Sequence, residues 1–169
     1  ISQHEEAVAS LASEVGFEQV SVSHDVEALI KFISRAETTL ADAYLTPVLT
    51  HHIDQLRKAL INIGAPRRLM FMQSNGGLVD AARFRGKDSV LSGPAGGVVG
   101  MVEAATAAGL EKLVGFDMGG TSTDVSAFSG EYERSTDSQV AGVRLRAPMM
   151  RTHPIAAGGG SVPPYAHDR

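Results

Sequence analysis

Apolar residues set the outline of this chain, first at helical and later at two-residue spacing. Over residues 4–15, Val8, Leu11, Ala12 and Val15 share one helical face, and Gly16 suits the end of that helix. Gln19-Val20-Ser21-Val22-Ser23 alternates polar and apolar, which predicts a strand. Asp25 is placed to cap a following helix through about Ile33. The longest stripe joins Leu40, Tyr44, Val48, Leu49, Ile53, Leu56, Leu60 and Ile63, and predicts a helix from about Thr38 to Ile63. Pro47 lacks an N–H and crowds the preceding turn, so a kink or break is expected there. Gly64 suits the position after the helix, with Pro66 soon behind.

The second half reads as short strands around one helix. Arg68 to Gln73 is a buried strand, and Ser74-Asn75-Gly76-Gly77 a tight turn. Val79 to Phe84 reads as a short helix and Ser89-Val90-Leu91 as an extended piece. Ser92-Gly93-Pro94 opens a small-residue helix that runs through Ala108 and closes at Gly109. Glu111 to Asp117 is a strand whose hairpin partner is Thr123 to Phe128. Ser129-Gly130 turns the chain again, with extended segments near 131–136 and 139–150 and a glycine-rich loop at Gly158-Gly159-Gly160-Ser161. Helices and strands interleave, so the class is α/β.

Composition narrows the function classes. The chain has 169 residues, 43% hydrophobic and 20% charged, as one soluble domain requires. A net charge of −4 argues against an electrostatic nucleic-acid surface. With no cysteine there is neither a disulfide nor a thiolate zinc site. No run approaches the ~20 apolar residues of a membrane helix, and the start lacks signal-peptide character, so a cytoplasmic location is expected. The first residue is not Met and the end at Pro163 to Arg169 shows no element, so an internal piece of a longer protein is expected.

The chemistry concentrates in Asp117-Met118-Gly119-Gly120-Thr121-Ser122-Thr123-Asp124. Converging backbone N–H groups bind phosphate, and glycine lets the backbone approach closely. Thr121, Ser122 and Thr123 add hydroxyl donors. Asp117 stands too near such an anion to bind it directly, and fits only with a divalent cation or a water between them. Asp124 suits the same task or fixes the turn. An ordinary hairpin whose Gly-Gly supplies positive φ also accounts for these residues. The three glycines Gly96, Gly97 and Gly100 inside one helix cost about 1 kcal/mol each relative to alanine. Close packing compensates for that, or a helix N-terminus facing an anion. Ser74 to Gly77 is a simple turn or the lining of a cleft. Gly158 to Ser161 is a connector or a second phosphate or sugar contact. His51 and His52 sit on the solvated side of the long helix, and no histidine metal spacing occurs, His153 being the least unsuited. Met70, Met72, Met149 and Met150 are read as core filling.

The segment Asp117 to Val125 resembles the second phosphate hairpin of the actin, hexokinase and heat-shock chaperone ATPase superfamily. Gln73 to Gly77, Leu91 to Gly100, Asp117 to Asp124 and His153 to Ser161 are similar, in order, to segments of the hydantoinase A/oxoprolinase family. The likeness covers most of residues 20–161. It implies a ribonuclease-H-like half with a mixed sheet and flanking helices, incomplete here. Residues 1–36 would then be the end of a preceding lobe or an edge element, 37–161 the ATPase core segment and 162–169 a truncated tail. The family includes ATP-dependent oxoprolinases, N-methylhydantoin hydrolases and subunits of acetone-type carboxylases. The implied reaction phosphorylates a carbonyl or amide oxygen of a small-molecule substrate with ATP and Mg²⁺, activating a cyclic amide for ring opening. By the same resemblance Asp117 and Asp124 are catalytic, Asp117 holding the metal. Gly119, Gly120, Thr121, Ser122 and Thr123 cradle phosphates, and Gly158, Gly159 and Gly160 contact the nucleotide. A hydantoinase B-type partner subunit and an oligomer are expected. The superfamily's first phosphate loop and its adenosine segment are not found, so the piece alone is expected to bind nucleotide weakly and to self-associate. A sugar or small-acid kinase and a chaperone-like reactivating ATPase are the alternatives on the same fold.

Overall fold

A computed structural model describes residues 2–28, 30–64 and 68–162. The first helix, α1 (Ser2–Val15), forms as its periodicity predicts, yet none of its residues is buried. Polar contacts hold it. The Glu5 carboxylate accepts from the Ser23 hydroxyl at 2.8 Å and meets His24 Nδ1 at 3.2 Å. The expected strand at 19–23 is absent. No strand lies beside it to pair with; instead Ser21 donates to Asp42 at 2.9 Å, and α2 (Ser23–Val26) follows as a single helical turn. Asp25 caps no long helix. It lies within α2, and its carboxylate pairs with Arg85.

The long helix α3 (Phe32–Asn62) starts earlier than its stripe suggests and runs through Pro47 without a break. Residues 36 and 37 both lie within it. Both sides of the proline are fixed by packing, which offsets a lost bond and ring clash of about 3 kcal/mol. Before Pro47, the buried Asp42 accepts from Lys87 N at 3.1 Å. Beyond it, Ile53 is buried with Ala81 and Phe84. The stripe turns inward only in its later part, at Leu49 and Ile53. Leu40, Tyr44 and Val48 are exposed, while Ser34, Thr38 and Asp42 are buried. Thr38 tolerates burial because its hydroxyl donates to Ser34 O at 2.9 Å and accepts from Arg146 N at 3.0 Å.

Next come the hairpin strands β1 (Met70–Met72) and β2 (Leu78–Asp80), with Phe71 opposite Val79. The expected helix over 79–84 is only a 3₁₀ turn, Ala81–Arg83, because residues 78–80 pair with β1 and Asp80 caps the turn through Ala82 N at 3.0 Å. A short helix, α4 (Gly86–Ser89), sits against α3. Residues 90 and 91 form a turn rather than an extended piece, since Leu91 N donates to the buried Ser74 hydroxyl. The small-residue helix α5 (Ser92–Ala107) buries Ala95, Val98 and Val102, and Gly109 (φ 76°) follows it.

The expected hairpin is formed by β3 (Lys112–Met118) and β4 (Thr123–Ser129). Four short strands then appear: β5 (Arg134–Ser135), β6 (Ser138–Val140), β7 (Val143–Leu145) and β8 (Met149–Met150). The last strand, β9 (His153–Ile155), pairs with β4, giving the order β3-β4-β9. The molecule is α/β, and every strand pairing among the described residues is antiparallel. Met149 and Met150 are buried as expected, and Met70 and Met72 half-buried. The expected tail lies outside the described residues apart from Val162, as does Pro66. No helix among the described residues is long and apolar enough to cross a membrane.

Candidate phosphate-binding site

Register places the two acids together. Asp117 and Asp124 are directly opposed in the β3–β4 ladder, and directly opposed residues project from the same face. Gly115 opposite Ser126 shares that face, which lies toward α5. A Cβ at Gly97 of α5 would lie 3.4 Å from Asp117 Oδ2, and one at Gly115 would strike Met101 and Ser126. Glycine in the helix and in the strand therefore lets α5 lie close beneath the acids. Between them is a cleft of about 320 Å³ bordered by Pro94, Gly97, Asp117, Asp124, Ser126 and Thr152. Ser126 and Thr152 were not singled out in the sequence. The two-residue period that puts Asp124 on this face also puts Ser126 there, so that signal was available.

The tip between the strands is small and closed on itself. Gly119 N donates to Ser122 O at 2.9 Å. Gly119, Gly120, Thr121 and Ser122 are all exposed. Neither glycine has a left-handed φ, so turn geometry is not what calls for glycine here. A Cβ on Gly120 would meet nothing within 4 Å, and one on Gly119 only Ser122 O at 3.5 Å. The N–H groups of Gly120, Thr121 and Ser122 and the hydroxyls of Thr121 and Ser122 have no protein acceptor among the described residues.

The glycine-rich loop after β9 lies against this tip. Gly159 N donates to Gly119 O and Gly160 N to Gly120 O, both at 2.9 Å. Gly158 is buried, and a Cβ there would fall 2.6 Å from Thr121 N and 2.7 Å from Gly119 O. Thr123, 2% exposed, donates its hydroxyl to Ala157 O at 2.6 Å. Thus Thr123 and Gly158 to Gly160 are brought to the hairpin, with the donors of Thr123, Gly159 and Gly160 directed at backbone carbonyls. Gly158 N itself donates to Ser161 Oγ at 3.0 Å.

Other sequence candidates lie elsewhere. Residues 73–77 border no part of the cleft; Ser74 O accepts from Met150 N at 2.7 Å, so that turn supports the core. His51 and His52 are exposed on α3, and His153 is exposed in β9. No group of three or more His, Cys, Asp or Glu suited to a metal occurs among the described residues. Two carboxylates beside a tip of N–H groups without acceptors are nevertheless donors that would suit a largely hydrated magnesium ion.

The chain can be placed among known proteins on this basis. The S. cerevisiae protein 5-oxoprolinase is 44% identical over 161 residues, covering 94% of this chain and 12% of its own length. Caprolactamase subunit alpha of Pseudomonas jessenii is 31% identical over 164 residues, covering 95% of this chain and 24% of its own. The crystal structure of ATP-dependent caprolactamase from that organism matches with a TM-score of 0.82 at 30% identity, over 95% of this chain and 24% of that one. A nucleotide-free acetone carboxylase structure, 24% identical, shares the fold with a TM-score of 0.76, over 92% of this chain and 22% of its own. The chain thus spans about an eighth to a quarter of the relatives it matches. The family model for hydantoinase/oxoprolinase matches residues 35–168, a span that includes strand, tip and glycine loop, and the chain belongs to the hydantoinase/oxoprolinase family.

Proposed function

We propose that this chain supplies one phosphate-binding face of an ATP-dependent enzyme that opens cyclic amides. The observation that carries this reading is the hairpin tip. Among the described residues its two glycines answer no steric or φ demand and its three consecutive N–H groups lack acceptors, and two carboxylates flank it on one face. The space over Gly120 is what close approach of a polyphosphate needs. Support also comes from the relatives, whose names specify oxoprolinase and an ATP-dependent caprolactamase, both acting on cyclic amides.

In this reading Gly119, Gly120, Thr121 and Ser122 receive phosphate oxygens through N–H and hydroxyl donors. Asp117 holds a magnesium ion, with Asp124 beside it orienting a water. Bound there, Mg-ATP supplies a transferable phosphoryl group that makes an amide oxygen a good leaving group. The chain's own part is positioning and charge placement. The carboxylates, which face α5, would hold the cation, and the donors of the tip would hold the anion. Caprolactamase subunit alpha is by name one subunit of an assembly, which supports a partner subunit for this chain as well, in our reading a hydantoinase B-type one. The kinase and chaperone-like alternatives have no counterpart among the relatives named above.

The test is Asp117→Asn in the intact polypeptide. ATP turnover is expected to fall by at least about a hundredfold with an unchanged circular dichroism spectrum, as loss of a charge-stabilising group does. Turnover near the parent rate removes Asp117 from the chemistry.

A further inference from the structure

We infer that the glycine loop after β9 is a clasp that aims the hairpin tip, rather than a second surface touching the nucleotide. The inference rests on the proposed phosphate role of the tip. It starts from peptide geometry. In a trans peptide the C=O and the following N–H point in opposite directions across one plane. No cis bond occurs in the described chain. The Gly119 carbonyl points at Gly159 N and the Gly120 carbonyl at Gly160 N. The N–H groups in those same two planes, belonging to Gly120 and Thr121, therefore point away from the loop. Two hydrogen bonds on one side thus set the direction of two free donors on the other.

The remaining contacts lock the arrangement. Gly158 lies against the Gly120–Thr121 peptide, where a Cβ would meet Thr121 N at 2.6 Å, Gly119 O at 2.7 Å and Gly120 C at 2.7 Å. All are backbone atoms of the tip itself, so no side chain can swing aside. Thr123 anchors the same loop from the strand through its bond to Ala157 O at 2.6 Å. The pairing of β4 with β9 carries the loop there, with Thr123 opposite Ile155. Spent on carbonyls, the Gly159 and Gly160 N–H groups are not available to a phosphate. Gly158, Gly160 and Thr123 are therefore positioning residues.

The space around each glycine makes the claim testable by rank. A Cβ at Gly158 clashes with backbone, one at Gly160 lies a tight 3.0 Å from Gly120 O, and one at Gly159 has ordinary room at 3.8 Å from Gly119 O. None of the three has a left-handed φ, so space alone sets the order. In the intact protein, KM for ATP is expected to rise by about tenfold or more for Gly158→Ala, the scale of one misdirected donor to a charged group. It should rise less for Gly160→Ala and least for Gly159→Ala. Thr123→Val should raise KM with a smaller change in kcat, and Thr123→Ser, which keeps the hydroxyl, should restore it. The Thr123 pair decides the matter where Gly158→Ala does not fold. A KM for Gly159→Ala raised as far as for Gly158→Ala would show the loop meeting the nucleotide directly and overturn the clasp. So would a parent-like KM in both Gly158→Ala and Thr123→Val. Failure of the phosphate reading is distinguishable, because Asp117→Asn would then keep full turnover whatever the loop variants do.

Discussion

Glu5 shows how single residues stand in for a core at the start of this chain. The Ser23 hydroxyl first, then His24, hold its carboxyl down at about 2 against an ordinary 4.5, outweighing the opposing effect of burial. Because the folded value is the lower one, this contact favours the docked α1 above about pH 4.5 and is lost as pH falls toward 2. Ser23→Ala is expected to move the Glu5 titration upward, toward the ordinary value, in a carbon-detected NMR pH series. An unmoved midpoint would show that the hydroxyl is not what holds it. Such partners lie 18 residues apart and leave no local trace in the sequence. The hairpin that carries Asp117 and Asp124 was legible, but their facing was not, since it depends on β3 continuing to Met118 opposite Thr123. The Thr123 bond to Ala157 was not legible, because its acceptor is a carbonyl 34 residues away, and any residue has a carbonyl.

Elements pack here through glycine, and what surrounds each glycine decides its cost. A Cβ at Gly86 of α4 would fall 2.7 Å from Leu45 Cβ, 2.8 Å from Thr46 N and 3.0 Å from Asp42 O, within the body of α3. One at Gly115 of β3 would meet the flexible Met101 side chain and the Ser126 hydroxyl. Gly86→Ala is therefore expected to lose about 1–3 kcal/mol in urea unfolding, as overpacking against an unyielding neighbour does, and Gly115→Ala less. Equal losses would show that Met101 cannot give way. Periodicity found α1, α5, β3 and β4 because each has a local pattern. It misplaced the start of α3 and the buried face of its first half. There the buried positions Ser34, Thr38 and Asp42 are polar, the side chains of Thr38 and Asp42 satisfied by partners distant in sequence or one turn away, and a hydropathy stripe cannot mark them. Pro47 misled for a related reason, since tertiary packing on both sides overrides a local break.

At the scale of the whole molecule, one sheet face stands open. Val114, Phe116 and Met118 of β3 are 77%, 64% and 53% exposed, beside an edge of the three-stranded sheet that has no further strand among the described residues. Apolar sheet faces with an open edge associate in water. The 169-residue chain is expected to sediment as a concentration-dependent mixture, shifted toward monomer by Phe116→Glu. A monomer at every concentration would remove this face as a docking surface. The α/β class and the β3–β4 hairpin were legible because each rests on contiguous residues. The stacking of the 157–160 loop on the tip was not, because it depends on β9 joining β4 across the intervening β5 to β8. The central claim, that the tip between Asp117 and Asp124 receives a polyphosphate, is tested most directly by a crystal structure of the intact protein with magnesium and a non-hydrolysable ATP analogue. The account requires phosphate oxygens about 3 Å from the N–H groups of Gly120 and Thr121, on the side away from Gly158 to Gly160. A polyphosphate bound elsewhere, with those N–H groups facing only water, would contradict it.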